Sequence, residues 1–380
     1  MAAAQRPRVA LVFGGQSTEH QISCLTAAAV AGAIDTERYE VYGIGISKQG
    51  TWHRVGLDQI AALRKVGRQL PELDDSLPRA TLVRETDGVV LVARDNDHLE
   101  DPVHLDAAFI LLHGPYGEDG TIQGQFEMLG LPYVGSGVTA SAVGMDKHFM
   151  KVALAALEVP IGPYEVVQPW AWPAGRDEVC ARINQNLSYP LFVKPARGGS
   201  SVGIVRVADA DQLCQAIEQA RVYDPKVVVE QGFVGAREIE CAVLGPASNP
   251  GLDDSTPRTS LPGEIVVHTE TGFYDFDAKY LPTEGQVDLN VPADLDAGLQ
   301  ASVQRYAATA FRALGCEGLA RVDFFVTAAG QIYVNEVNTM PGFTELSMFP
   351  SMWQASGITY PDLIADLIDQ ALSRPNTVVR

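Results

Sequence analysis

The sequence predicts a three-part protein of mixed α/β and α+β character that opens on a parallel α/β domain. Three observations predict this. The chain begins with an apolar run, two glycines, a helical stretch and a second apolar run. Its 380 residues correspond to roughly two or three domains at about 150 residues each. Its composition, 46% hydrophobic against 20% charged, is rich enough for several cores. Candidate boundaries at Gly135-Ser136-Gly137 and near Val234 divide the chain into 1–137, 138–233 and 234–380.

In the first part Val9 to Phe13 reads as a buried strand, Glu19 to Ala33 as a helix and Tyr39 to Ile46 as a strand. This is a βαβ unit, which implies parallel strands. Gly50 to Asp101 mixes charges, prolines and short apolar runs, and a variable, partly looped insertion is expected there. Ala107 to Leu112 is a further buried strand, Gly120 to Leu129 a helix and Leu131 to Val134 a returning strand. In the second part Ser141 to Leu157 has helical spacing, and Gln168 to Gly175 reads as a connection. Leu191 to Val193 and Gly203 to Val207 are strands flanking a glycine-serine loop, followed by a helix over Asp211 to Ala220 and a strand over Val227 to Glu230. The third part holds a strand over Glu238 to Leu244, a loop over Gly245 to Pro262 and a long helix over Leu295 to Leu314. Two strands follow, then an irregular stretch from Asn338 to Ser356. A closing helix over Pro361 to Leu372 has its proline near the first turn, where the missing N–H costs nothing.

The net charge of −19 argues against nucleic acid and anionic membranes as partners, because such a field repels phosphate. No run approaches the roughly 18 apolar residues of a membrane span. The start lacks a signal-peptide pattern, so a cytoplasmic protein is expected. The five cysteines are scattered and form no CxxC pair, so all are expected to be reduced structural thiols.

Four stretches carry chemistry. In Arg321-Val322-Asp323 and Asn335-Glu336-Val337-Asn338, alternation along a strand puts Arg321 with Asp323 and Glu336 with Asn338 on one face. A two-residue turn centred between Ala329 and Gly330 then sets Asp323 opposite Glu336 and Arg321 opposite Asn338. Two opposed carboxylates repel. With the Asn338 amide they make a hard oxygen set suited to Mg²⁺, and a solvated polar face is the alternative. Lys194 leaves a buried strand into Gly198-Gly199-Ser200-Ser201, a loop whose N–H and hydroxyl groups suit phosphate, or else an ordinary mobile loop. Gly14-Gly15-Gln16-Ser17-Thr18-Glu19 precedes a helix N-terminus, which favours an anion, while Glu19 suits a substrate ammonium or merely the helix dipole. His113-Gly114-Pro115-Tyr116-Gly117-Glu118-Asp119-Gly120 follows a strand, at the end of the sheet where α/β ligands bind. Neither the P-loop nor the dinucleotide glycine pattern is present.

Together GGQSTEHQIS, HGPYGEDGTIQG, GMDK, VKPARGGSSVG, AKY and RVDFF…NEVNTMPGFTELSMFP resemble, in order, the D-alanine–D-alanine ligase family of the ATP-grasp superfamily. The resemblance implies a three-part ATP-grasp architecture, with ATP between the second and third parts. It implies Lys147, Lys194, Ser200 and Ser201 near the phosphates and Glu230, Phe233 and Glu238 near adenine and ribose. Gln231 stands where many relatives carry lysine. Asp323, Glu336 and Asn338 become ligands of two Mg²⁺ (or Mn²⁺) ions. Glu19, helped by His113, binds the ammonium of the first D-alanine, within a Glu19–Ser200–Tyr280 triad. Arg321 and Gly342 stabilise the oxyanion, Ser347 holds the second carboxylate, and Lys279 reaches the transferred phosphoryl. The resemblance also implies a homodimer serving peptidoglycan synthesis. D-alanine–D-lactate and D-alanine–D-serine ligases are close rivals; Lys279-Tyr280 matches the dipeptide-forming branch.

Overall fold

A computed structural model describes residues 6–95, 98–246, 256–268 and 286–374. Among these residues the strands form three sheets. The first holds β1 (Arg8–Gly14), β2 (Glu40–Ile46), β3 (Trp52–Val55), β4 (Arg79–Glu85), β5 (Gly88–Asp95), β6 (His98–Leu99), β7 (Val103–Leu105), β8 (Ala107–Ile110) and β9 (Tyr133–Val134). Its order is β6-β5-β4-β3-β2-β1-β8-β9, with β7 also on β5. The strands β2, β1, β8 and β9 are mutually parallel. β1 is apolar without interruption because both its faces are covered. Val9, Leu11 and Phe13 enter one core, and Ala10 and Val12 enter another.

The 50–101 segment differs from expectation. Rather than a loose insertion, most of it extends the sheet antiparallel through β3, β4, β5 and β6. Ala80 and Leu82 on β4 and Val89 and Leu91 on β5 bury one face, while Thr81 and Val83 on the other face of β4 are exposed. The helices of this part are α1 (His20–Ala33), α2 (Leu57–Ala61) and α3 (Thr121–Leu129).

The predicted helix over 141–157 is two, α4 (Val138–Met145) and α5 (Lys147–Ala156). They break at Asp146, whose φ of −89° and ψ of 103° are not helical. Its side chain accepts from His148 N and Phe149 N, capping α5. Both helices pack on the third sheet. The second sheet has the order β10 (Tyr164–Val167), β13 (Val227–Gln231), β11 (Leu191–Pro195), β12 (Val205–Val207), all antiparallel. The expected connection at 168–175 contains a short helix, α6 (Ala171–Ala174). α7 (Arg176–Asn186) and α8 (Ala210–Arg221) cover this sheet. The expectation of five free thiols fails here. Cys180 on α7 and Cys214 on α8 form a disulfide, with Cα atoms 6.3 Å apart, while Cys24, Cys241 and Cys316 are free and buried. A separation of 34 residues gave no spacing signal for a bond made by packing two helices together.

The third sheet contains β14 (Arg237–Leu244), β15 (Arg258–Thr259), β16 (Gly263–Val267), β17 (Val287–Asn290), β18 (Leu319–Val326) and β19 (Ile332–Asn338), in the order β17-β16-β14-β18-β19 with β15 on β14. α9 (Ala297–Leu314) packs against it, capped by Asp296, which accepts from Gly298 N and Leu299 N at 2.9 Å each. The stretch 338–356, expected to be irregular, ends in α10 (Met348–Ala355), and the chain closes with α11 (Tyr360–Ser373). Pro350 lies in the first turn of α10, where it breaks no helical bond. Both helices join α1, β1 and β8 in one core, uniting the first and third sheets.

Candidate active site

The loops at the carboxyl ends of β1 and β8 meet the second and third sheets around a cavity of about 730 Å³. Glu19, His113, Lys147, Lys194, Ser200, Ser201, Glu230, Phe233, Glu238, Arg321, Asp323, Glu336, Asn338, Gly342 and Ser347 all line it. Lys279 and Tyr280 lie outside the described residues.

One corner is built by the end of β1 and the start of α1. Glu19 is the N-cap residue of α1 and is buried. Ser200 Oγ donates to Glu19 Oε1, joining the first sheet to the glycine-serine loop. A Cβ on either Gly114 or Gly199 would stand 2.8 Å from Glu19 Oε2 and push the carboxylate from its present position, and Gly114 in addition holds a φ of +74°. Ser17 Oγ donates to His113 O at 2.8 Å, tying the β1 loop to the β8 loop. His113 Nδ1 lies 3.2 Å from Met340 O, so it carries the proton, and Nε2 accepts from Thr26 Oγ1 at 3.1 Å. Burial lowers the His113 pKa, with Glu19 opposing, so the ring is neutral and spans to the 339–347 loop.

The centre is a row of carboxylates across three strands. Glu240 on β14 pairs with Asp323 on β18, which pairs with Glu336 on β19. Arg321 pairs with Asn338. Arg321 Nε and Nη2 donate to the two Asp323 oxygens at 2.7 Å each, and Nε lies 3.1 Å from Glu240 Oε2. Burial disfavours this guanidinium charge, but Asp323 and Glu240 outweigh burial and hold it well above its ordinary pKa. Asn338 Nδ2 donates to Asp323 Oδ2 at 3.0 Å. Three carboxylates against one guanidinium leave a negative excess in a buried place. Glu118 registers it, since burial and the charges of Glu19 and Glu336 hold its carboxyl well above the usual carboxylate range. Hard oxygens with that excess fit a divalent cation.

The predicted pairing of Asp323 with Glu336 holds, but the predicted turn does not. Thr327 N donates to Gln331 O at 2.9 Å, so the loop has three residues, with Gly330 at a φ of +76°. That shifts the register by one, and a bulge beside Asp323 and Phe324 shifts it back. The bulge turns Asn335 as well as Glu336 out of the core, and Asn335 Oδ1 accepts from Lys194 Nζ at 3.2 Å.

On the far side the backbone N–H of Lys147 donates to Ala196 O at 2.9 Å, and its Nζ donates to Gly198 O at 2.8 Å, anchoring the glycine-serine loop to α5. Ser200 and Ser201 hold φ of 48° and 59°, sparsely populated for side-chain-bearing residues and common where a loop faces a ligand. Lys194 Nζ donates to Glu230 Oε2 at 2.7 Å. Phe233 stacks on Tyr333 with centroids 4.5 Å apart. Ser347 Oγ accepts from Thr344 N at 3.1 Å beside Gly342, where a Cβ would lie 3.3 Å from that oxygen.

Sequence reasoning missed Glu240, Asn335 and Thr339 as lining residues. A signal existed for Glu240, since Glu238 and Glu240 alternate with Ile239 and Cys241, whose side chains enter the core.

Two family profiles match the chain, "D-ala D-ala ligase N-terminus" over residues 8–136 and "D-ala D-ala ligase C-terminus" over 153–369. A D-alanine–D-alanine ligase of Paenarthrobacter aurescens is 50% identical over 97% of this chain and 96% of its own. One from Mycobacterium avium is 46% identical over 98% and 99%. Among solved structures, the D-alanine–D-alanine ligase of Coxiella burnetii superposes with a TM-score of 0.80 at 31% identity, covering 97% of this chain and 94% of that one. The VanG D-Ala:D-Ser ligase of Enterococcus faecalis gives 0.79 at 32%, covering 97% and 100%. With the ATP-grasp arrangement of its sheets and a match over nearly its whole length, this chain belongs to the D-alanine–D-alanine ligase family.

Proposed function

We propose that the protein condenses two D-alanine molecules into D-alanyl-D-alanine at the expense of ATP, for peptidoglycan precursor synthesis. The observation that carries this is the convergence, in one cavity, of the Arg321-centred carboxylate row, the lysine-led glycine-serine loop and Glu19. Relatives named D-alanine–D-alanine ligase at 45–50% identity favour D-alanine as second substrate over D-serine.

Glu19 accepts from the ammonium of the first D-alanine, in the corner closed by His113, and Ser200 and Tyr280 complete the hydrogen-bonded set. A carboxylate oxygen of that substrate attacks the γ-phosphorus of ATP. The bond to the ADP oxygen breaks, giving D-alanyl phosphate. The amine of the second D-alanine, its carboxylate held by Ser347, then attacks the acyl carbonyl. Arg321 and the Gly342 N–H stabilise the tetrahedral oxyanion, the amine loses its proton, and phosphate leaves. Lys147, Lys194, Ser200 and Ser201 hold phosphates, Lys279 reaches the transferred group, and Glu230, Phe233 and Glu238 hold the base and ribose. Asp323, Glu336 and Asn338 hold divalent ions, read here as two Mg²⁺ with Mn²⁺ as substitute. When bound, those ions neutralise charge on the triphosphate. Positioning and charge neutralisation supply most of the acceleration.

The three functional parts are read as 1–137, 138–233 and 234–380, with α4 and α5 lending their apolar faces to the third sheet. The protein is read as a cytoplasmic homodimer; among the described residues no helix is long and apolar enough to cross a membrane. A phosphate-release assay with ATP and Mg²⁺ tests the activity, comparing D-alanine, L-alanine, D-serine and D-lactate. D-Alanine alone should support turnover. Release that requires D-lactate or D-serine as second substrate would overturn the dipeptide assignment.

A further inference from the structure

Lys151 follows Lys147 by one turn of α5 and is 1% exposed. An ammonium so buried is costly unless it is paired. Its Nζ lies 3.1 Å from Glu230 Oε1 and 5.5 Å from the centroid of Tyr164, the cross-strand neighbour of Glu230 on β10. Lys147, Lys194 and Glu230 line the cavity, and Lys151 does not. It stands behind the lining residues, in ion-pair contact with Glu230. Glu230 is thus held at both oxygens, Oε1 by Lys151 and Oε2 by Lys194 at 2.7 Å. Burial alone would raise this carboxyl, but Lys151 and then Lys194 reverse the effect and bring its pKa to about 2. Two ammonium groups around one carboxylate also leave one positive charge uncancelled, next to the cavity.

We propose that Lys151 is a positioning residue for nucleotide recognition. From behind the cavity wall it keeps Glu230 an ionised, acceptor-only group that favours a purine carrying an exocyclic amine. It also prevents Glu230 from cancelling the charge that Lys194 offers to the phosphates. The inference rests on the reading that Glu230 faces the base. A carboxylate oxygen engaged by one ammonium keeps a lone pair for a second donor. Without Lys151, Glu230 either takes up a proton and becomes a donor or turns wholly to Lys194. In both cases a 6-amino purine loses its advantage over a 6-keto purine.

The test uses the full-length enzyme and its K151M, K151R, E230Q and K151M/E230Q variants. Steady-state kcat and KM are measured with ATP and with inosine triphosphate, together with the KM for D-alanine. In K151M the ATP-over-inosine-triphosphate ratio of kcat/KM should fall about tenfold, the loss expected from about 1.4 kcal/mol. The KM for ATP should rise and the KM for D-alanine should stay unchanged. K151R should restore most of the ratio. E230Q should lose the same preference, and adding K151M to it should change nothing further. A merely structural Lys151 would depress activity with both nucleotides alike. An unchanged ratio in folded K151M, beside an altered ratio in E230Q, overturns the proposal alone. An unchanged ratio in E230Q overturns the base-site reading and the proposal with it. If K151M lacks the native thermal transition, K151Q is read in its place by the same criteria.

Discussion

Arg321 is where the charges of the site meet. It is bidentate to Asp323 and in ion-pair contact with Glu240, yet a guanidinium has five N–H donors, so these contacts do not exhaust it. We expect Arg321→Ala to keep ATP binding and to lose turnover by about a hundred- to a thousandfold, the range seen when one preorganised oxyanion donor is removed. Equilibrium nucleotide binding beside a phosphate-release assay checks this, and a fully active variant contradicts the role. Lys147, Glu230, Phe233, Glu238, Gly342 and Ser347 came from the family resemblance, while Arg321, Asp323, Glu336, Asn338, Lys194 and Glu19 were legible at this scale from alternation and local motifs. Glu240 was not, although its strand pattern exposes it. Its partners Arg321 and Asp323 come from a strand distant in sequence, and alternation says which face a residue is on, not which strand lies beside it.

The β18–β19 hairpin shows how two deviations from ideal geometry combine within an element. A three-residue loop displaces the ladder by one residue, and the bulge displaces it back, so Asp323 faces Glu336 as a regular two-residue turn would also have it. The bulge is a local insertion that re-aims a side chain, and here it turns Asn335 toward Lys194. The β4–β5 hairpin carried its own signal, Thr86-Asp87-Gly88 between an alternating strand and a continuous apolar run, hidden by the charges around it. The turn from β1 into α1 is more constrained. Gly14 has a φ of +90°, and a Cβ there would stand 2.2 Å from Ile46 O. Gly14→Ala should therefore destabilise the protein by about 2 kcal/mol or more. Gly32→Ala, in the last turn of α1 with nothing within 4 Å of its new Cβ, should be neutral or mildly stabilising. Thermal melting of the two variants compares them, and equal melting temperatures would refute the steric argument.

Across the whole molecule, one core joins the first and third sheets. Leu11 and Phe109 from the first meet Ala242 and Leu319 from the third, with Phe343, Phe349, Leu363 and Leu367 between them. Phe109 and Phe343 pack edge to face at 5.6 Å, and Tyr360 Oη donates to Phe343 O at 2.7 Å, fixing the loop that carries Gly342 and Ser347. Leu367 is fully buried there. Leu367→Ala should cost about 2–5 kcal/mol. Because the core is shared, unfolding followed by tryptophan fluorescence, to which Trp353 in that core contributes beside Trp52, Trp170 and Trp172, should coincide with unfolding followed by far-ultraviolet circular dichroism. Clearly separate transitions would show the two sheets to be energetically independent.

The sequence by itself determined the βαβ opening, the strands and helices that flank the motifs, the motifs and hence the family. It also determined which side chains share a face of a strand. These follow from local periodicity and from spacing that survives any packing. Only the tertiary structure decided that the 50–101 segment completes a sheet, that Asp146 divides a helix, that Cys180 reaches Cys214 and that Glu240 and Lys151 stand beside the site. Apart from the local cap at Asp146 and the β4–β5 turn, these depend on contacts between residues far apart in the chain, whose energies come from burial and charge pairing rather than from any local preference.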